Sequence, residues 1–176
     1  MEKSSIKGLK ISGELCLVRL RKQHPVNGLL SAFCGLLAGS QINMPFLATE
    51  NRAAGIQAAG CVEAAHLALV KRLIDADPAL PEHVNYTPGV GLLTLFPHQS
   101  SLKMFGLSLR TLVKAQLRVF ALASSIGALT YVLDYARMDK AAAVLQKRFK
   151  LADNHAPFRA EFVVSQGTRS RSGPSE

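Results

Sequence analysis

Residues 15–74 recur as residues 90–149, a shift of 75 positions taken without a gap. Leu17 meets Leu92, Leu20 meets Leu95, Leu37 meets Leu112 and Gln41 meets Gln116. Leu47-Ala48 meets Leu122-Ala123, Ala53 meets Ala128, and Ala68 meets Ala143. Exact identities are few, but the apolar pattern repeats in phase with them. Two copies of one supersecondary unit, each too small to bury its own faces well, must pack on each other. A site shared by the copies would lie at their junction.

The local patterns give each copy the same order of elements. Ile6–Ile11 is a short strand candidate. Glu14–Arg21 is a second, rich in Leu and Val, as expected of a strand buried on both faces. His24-Pro25-Val26-Asn27-Gly28 breaks it. Val26, Leu29, Leu30, Phe33, Leu36 and Leu37 then fall on one helical stripe, with Gly39 as its stop. Ile42–Thr49 and Ala53–Val62 read as strands joined by a turn at Glu50-Asn51-Arg52, and Ala64–Ile74 as a helix. In the second copy Val90–Phe96 is a strand and Pro97–Ser100 a loop. Leu102, Phe105, Leu109, Leu112 and Val113 form the stripe, Leu117–Ala123 and Ala128–Asp134 are strands, and Met138–Phe149 is the last helix. Helices are expected over 25–38 and 101–115. Each β-α-β-β-α unit needs one more strand to close a split-βαβ sheet. Ile6–Ile11, His83–Thr87 and Arg159–Ser165 are available. The expected class is α+β, with two ferredoxin-like βαββαβ units side by side, each an antiparallel sheet with its helices on one face. The units span 13–88 and 89–166, and 167–176 is a disordered Ser, Gly and Arg tail.

Composition narrows the classes further. A 48% hydrophobic content supports a real core. The net charge of +9 raises nucleic acid as a partner, but Lys3, Arg19, Arg52, Lys71, Arg110, Arg137 and Lys147 form no single block, so a solvated basic surface is the better reading. Cys16, Cys34 and Cys61 match no zinc spacing and each sits in an apolar run, which fits buried thiols in a reducing cytosol. Cys61, Glu63 and His66 are close in sequence, yet the Ala-rich surroundings argue against a metal or a nucleophile. The uncharged stretch 84–102 contains Pro88, Gly89, Gly91 and Pro97 and is no membrane helix; the opening residues lack the apolar core of a signal peptide. The expected location is cytoplasmic.

The order of elements and several short motifs together resemble tandem ACT domains, specifically the regulatory half of aspartokinase. Ile6-Lys7-Gly8-Leu9 is similar to the strand that opens that region, and Leu15-Cys16-Leu17-Val18-Arg19-Leu20 to the first ACT strand. Gln41-Ile42-Asn43-Met44 resembles the family's Gly-Ile-Asn-Val entry to its second strand. Asn85-Tyr86-Thr87-Pro88-Gly89-Val90 resembles the joint between the units. Ala123-Ser124-Ser125, Leu129–Leu133, Met138–Ala141 and Leu145–Phe149 are similar to the turn, third strand and closing helix of the second ACT unit. The resemblance covers roughly residues 5–165. It implies that strand 5–12 is added to the second unit, since the matching region of the family inserts its first unit into its second. The apolar face of Ile6, Leu9 and Ile11 fits that role.

The resemblance also implies a sensor of a free amino acid rather than a catalyst, with the ligand at the junction of the units. A loop feeding a helix offers unpaired N–H groups and a positive dipole end, which suits a carboxylate. The candidates are His24, Pro25, Val26, Asn27, Gly28 and Leu29 in the first loop and His98, Gln99, Ser100 and Ser101 in the second. Asn43, Thr49, Ser124 and Ser125 stand on the strand side. Ser101 also suits a helix cap, and Ser124-Ser125 also suits a plain turn. Neither loop carries the family's Asp-x-Pro-Gly, and Pro45 stands where many members place an Asp. No Gly-rich phosphate loop and no Mg²⁺-holding carboxylate cluster is present, so no enzyme activity, metal or cofactor is expected. The expected partners are a free amino acid, a second copy in a homodimer, and an aspartokinase-like catalytic chain. Two other readings stand beside this one: an assembly protein that has lost the ligand, favoured by Pro45 and the altered loops, and a basic ferredoxin-like nucleic-acid binder, favoured by the charge.

Overall fold

The computed structural model describes residues 5–21, 28–52, 55–96 and 101–151, with the side chains of 51–56 left aside. The expected starts at His24, Pro25, Val26 and Asn27, the loop residues His98, Gln99 and Ser100, the strand Arg159–Ser165 and the tail lie outside the described residues.

Leu15–Arg21 (β3), Leu29–Gly39 (α1), Phe46–Arg52 (β4), Gly55–Glu63 (β5) and Leu67–Asp75 (α2) make the first half. Val84–Phe96 (β6), Leu102–Lys114 (α3), Val119–Ser124 (β7), Leu129–Asp134 (β8) and Met138–Arg148 (α4) make the second. Ser5–Ile6 (β1) pairs parallel with Lys150–Leu151 (β9), and Gly8–Ile11 (β2) pairs antiparallel with the far half of β6. The main sheet has seven strands, ordered β4-β5-β3-β6-β8-β7, with β2 also on β6. The strand His83–Thr87 and the strand Val90–Phe96 are thus one element of 13 residues. Its first half closes the sheet of unit 1 against β3, and its second half opens the sheet of unit 2 against β8.

Pro88-Gly89 lies at the middle of β6. Gly89 has φ +69°, and the pairing with β3 shifts register between Leu15 and Leu17. A positive φ is accessible to Gly at little cost, so the strand can turn there without breaking. The turn brings the helix-free faces of the two half-sheets together, and β4 and β7, at opposite ends of the strand order, approach each other.

Alternation on β3 then serves two cores at once. Cys16, Val18 and Leu20 pack under α1 and α2 with Phe33, Leu37, Val70 and Ile74. Leu15 and Leu17 point the other way and join Phe46, Cys61, Val90, Leu92 and Val132 between the half-sheets. A third cluster, with Leu9, Leu95, Leu112, Tyr131, Leu145 and Phe149, lies under α3 and α4. The expectation that β3 is buried on both faces holds for this reason.

Several sequence boundaries move. Helix α1 ends at Gly39 as expected, but the left-handed cap is not the glycine: Gln41 takes that conformation, φ +56°, and Gln116 does the same after α3, φ +57°. The Gln41 N–H donates to the Ala38 carbonyl (3.0 Å) and Ile42 N–H to Leu37 (2.9 Å). Gln116 N–H donates to Val113 (2.9 Å) and Leu117 N–H to Leu112 (3.0 Å). These are paired Schellman caps, with Gln in the place usually held by Gly. Glu50, Asn51 and Arg52 are not a turn. They extend β4 and face Gln57, Ile56 and Gly55.

The ungapped repeat is also corrected. It holds from Leu15/Val90 through Thr49/Ser124, 75 apart. Ala58 and Leu129, which face Thr49 and Ser124 in the two hairpins, are 71 apart. Glu63 and Asp134, and the starts of α2 and α4 at Leu67 and Met138, are likewise 71 apart. The hairpin of unit 1 is longer by four residues at its tip, and the matches Ala53/Ala128 and Ala68/Ala143 are coincidental.

Candidate functional site

The junction core is built from equivalent positions of the two halves. Leu15 and Val90, Leu17 and Leu92, and Phe46 and Ala121 are 75 apart; Cys61 and Val132 are 71 apart. The apolar centre leaves a cleft at each end.

One cleft, of about 690 Å³, runs between the β2–β3 connection, the end of β5 and β6, and is lined by Lys10, Ser12, Glu14, Pro45, Glu63 and Thr94 among others. Ser12 is committed to structure there: its Oγ accepts from the Leu92 N–H (2.8 Å) and donates to the Gly13 carbonyl (2.7 Å). Pro45 contributes no donor and no charge to this wall.

The second cleft, of about 500 Å³, opens between β3, the β4–β5 hairpin and β7. Arg19 and Arg21 line it from β3, Thr49 and Glu50 from β4, Gln57 from β5, and Phe120, Ala121 and Leu122 from β7. Arg19 is half-buried and fixed at two points. One guanidinium nitrogen donates to Thr87 Oγ (3.1 Å) and the other to the Phe120 carbonyl (3.0 Å). Burial, and then the charges of Arg21 and Arg118, hold its pKa below the ordinary arginine value. Arg118 lies over the Phe120 ring, 4.7 Å from its centre. Sequence spacing leaves Arg19 among scattered charges; the fold gathers Arg19, Arg21 and Arg118. The readable part of that signal is the i, i+2 spacing of Arg19 and Arg21, which puts both on one face of a strand.

The sequence-derived candidates sit elsewhere. Gly28 and Leu29 open α1, Asn43 is exposed between α1 and β4, and Ser101 precedes α3. Ser101 Oγ accepts from the Met104 N–H (3.2 Å), the capping bond. Ser124 ends β7. Ser125 closes the following turn: its N–H donates to the Ala128 carbonyl (2.8 Å) and its Oγ accepts from the Ala128 N–H (3.1 Å). None of these six lines either cleft; of the strand-side candidates Thr49 does.

Cys16 and Cys61 are buried thiols. Burial raises both pKa values, that of Cys61 up to about 12, so neither is a thiolate at neutral pH. Among the described residues no three His, Cys, Asp or Glu side chains converge as a metal site, and no helix is long and apolar enough to cross a membrane.

No protein-family model matches the sequence, and no curated protein matches it. The structure is similar to the ligand-free regulatory subunit of aspartate kinase from Thermus thermophilus, with a TM-score of 0.72 and 12% identity over 83% of this chain and 100% of that one. It is similar to a chain of the aspartokinase alpha and beta subunits, with a TM-score of 0.73 and 14% identity over 84% of this chain and 100% of that one. The aspartate kinase of Synechocystis matches 91% of this chain with 29% of its own length, at a TM-score of 0.73 and 14% identity. At these identities the likeness is one of fold. The tandem α+β architecture expected from the sequence is shared in fold with these regulatory subunits, two of which are covered over their whole length.

Proposed function

We propose that this chain is a non-enzymatic, cytoplasmic regulatory protein. Its two ACT-type units, 13–88 and 89–166 with strand 5–12 in the second, bind a small free amino acid at their junction. They pass that state to a second copy of the chain or to an aspartokinase-like catalytic chain. The observation that carries the reading is the full-length match in fold to regulatory subunits of aspartate kinase. A ligand can signal only if it prefers one arrangement of the units over another. The shared strand β6, turning at Gly89, is an element whose two halves such a ligand would bias.

Homodimer formation has support on the surface. Leu102 and Val113 are 84% and 60% exposed and lie on one face of α3, and β4 and β7 are sheet edges. The same exposed apolar pair favours the second reading, an assembly protein without a ligand. A thermal-shift and calorimetry screen of the twenty free amino acids decides between them, because a ligand of the native state raises apparent stability by mass action. Binding at tens of micromolar or weaker, about 6 kcal/mol, is expected. Silence from all twenty at millimolar concentration leaves the assembly reading.

A further inference from the structure

We infer that one end of the second half docks on an anionic lipid surface, with Leu102 and Ile126 entering the headgroup layer among a group of exposed cations. This is independent of the amino-acid reading above.

Placement is the first argument. Leu102 and Ile126 are 84% and 86% exposed, the most exposed of the large apolar side chains among the described residues. The topology brings them to the same end. Ile126 sits in the turn between β7 and β8, beyond the pair Ser124–Leu129, and Leu129 pairs with Leu95 close to the end of β6. Helix α3 runs back from that end toward β7, whose first residue, Val119, pairs with Leu133 opposite Gly91. A helix of 13 residues spans about 20 Å, so Leu102 lies at the Phe96 end of the sheet. Helix α4 starts just after Asp134, which faces Val90, and finishes at the Phe96 end too. There β9 follows it and pairs with β1, and the Lys7 N–H donates to the Phe96 carbonyl (2.9 Å).

Charge is the second. The net charge of +9 is unevenly placed in the fold. Residues 13–88 carry six Lys or Arg and six Asp or Glu, whereas residues 89–151 carry nine and two. Those two, Asp134 and Asp139, stand away from the Phe96 end, at the close of β8 and in the first turn of α4. Lys7, Lys103, Lys147, Arg148 and Lys150 gather at the Phe96 end, and all five are exposed.

The pairing of the two features selects the occupant. A lipid surface uses both, since apolar side chains enter the interface while Lys and Arg attract anionic headgroups. A nucleic-acid backbone would engage the cations and leave Leu102 and Ile126 in water. A second copy meeting this end with its own would set cations against cations.

Co-sedimentation of the full chain with large vesicles tests this, the probes being phosphatidylcholine alone and phosphatidylcholine with about 30% phosphatidylserine. The protein should bind the anionic vesicles at least about tenfold more tightly than the neutral ones, and should leave them as salt rises toward about 1 M. Leu102→Ser combined with Ile126→Ser should weaken binding at least about tenfold, and so should Lys147→Gln combined with Arg148→Gln. Lys114→Gln combined with Arg137→Gln, at the opposite end of the same helices, should leave it within about twofold. All six side chains are exposed, and the melting temperature of each free variant checks its fold. No binding to the anionic vesicles overturns the proposal. Binding that Leu102→Ser with Ile126→Ser leaves unchanged, and that duplex DNA competes away, overturns it in favour of a polyanion surface. A loss of mass by light scattering in that variant, with vesicle binding intact, overturns it in favour of a contact between copies.

Discussion

The guanidinium of Arg19 donates to the backbone carbonyl of Phe120 at 3.0 Å, joining β3, the first strand of the first half, to the edge strand of the second across 101 positions of sequence. Phe120 falls at the register shift of β7 between Val119 and Ala121, so it drops out of the ladder with β8. Phe120 is half-buried, a carbonyl shielded from water without a partner is costly, and Arg19 supplies the partner.

Replacing Arg19 with Met keeps the apolar stem and removes both hydrogen bonds. The expected loss is about 1.5–3 kcal/mol, the range for hydrogen bonds to charged groups. Arg21→Met, on an exposed residue, should stay within about 0.5 kcal/mol. Urea midpoints at constant slope measure both; equal effects would mean that the contact with Phe120 contributes nothing.

The Schellman caps give a prediction of the opposite sign. Gln41 and Gln116 both carry a left-handed backbone, which costs an L-residue about 1–2 kcal/mol. Glycine removes that cost but adds chain entropy to the unfolded state. Gln41→Gly and Gln116→Gly should each raise stability by up to about 1 kcal/mol. Gln116→Val should lower it. A denaturation series in which Gly and Val fall on the same side would refute the assignment.

Inside the second half, Ser108 and Tyr131 share a hydrogen bond of 2.6 Å, and both are fully buried. Ser108 also reaches the carbonyls of Met104 (2.8 Å) and Phe105 (2.9 Å). Ser108→Ala strands the Tyr131 hydroxyl and should cost about 1–3 kcal/mol. Tyr131→Phe leaves Ser108 its helical acceptors and should cost less. A double-mutant cycle with no coupling would show the pair to be incidental.

Alkaline pH should unfold the protein by a defined route. Burial raises the pKa of Cys61 from 9.0 to about 12 and raises those of Cys16 and Tyr131. Above pH 9.0 the unfolded chain releases the Cys61 proton while the folded chain keeps it. The stability from these groups is full below their unfolded values and is lost as pH rises through the folded ones. Stability should therefore fall from about pH 9 to pH 12. Cys61→Ala should be less stable at pH 7 but should show a shallower alkaline slope; parallel curves would exclude Cys61 as a contributor.

Strand β2 should hold the second half rather than the first. Leu9 is fully buried and pairs with Leu95. Leu9→Ala should cost about 2–5 kcal/mol. Deleting residues 1–11 should lower hydrogen-exchange protection in β8 more than in β5. Unchanged protection in residues 129–134 would contradict that.

The fold was legible because both periods of the chain survive at the level of residues: the stripe through Phe33 and Leu37, its copy through Leu112, and the alternation of Leu15 to Leu20. The four-residue difference between hairpins was not legible, for a physical reason. Four residues are an even number, so strand alternation is unaffected, and they are close to one helical turn, so the stripes of α2 and α4 stay nearly in phase. The turn expected at Glu50-Asn51-Arg52 failed with it. The Gln41/Gln116 identity was visible, but only the backbone shows that it marks two caps. The clefts were hidden because they join residues such as Arg19, Glu50 and Phe120 from three strands, and charge counted along the chain reads them as scattered. Loop chemistry drew attention to Ser101 and Ser125, whose hydroxyls serve a cap and a turn.

The pairing of β2 with β6 has a consequence for how the chain is made. Gly8–Ile11 find their partners among residues 93–96, which lie 82 to 88 positions downstream. At a synthesis rate of about 5–20 residues per second, those partners appear roughly 4–18 s later. Through that interval Leu9 and Ile11 have no partner strand, while Val84–Thr87, which close the first half against β3, are made before residues 93–96. A strand made before β3 is therefore placed long after it, and the partner of Ser5–Ile6, Lys150–Leu151, is later still.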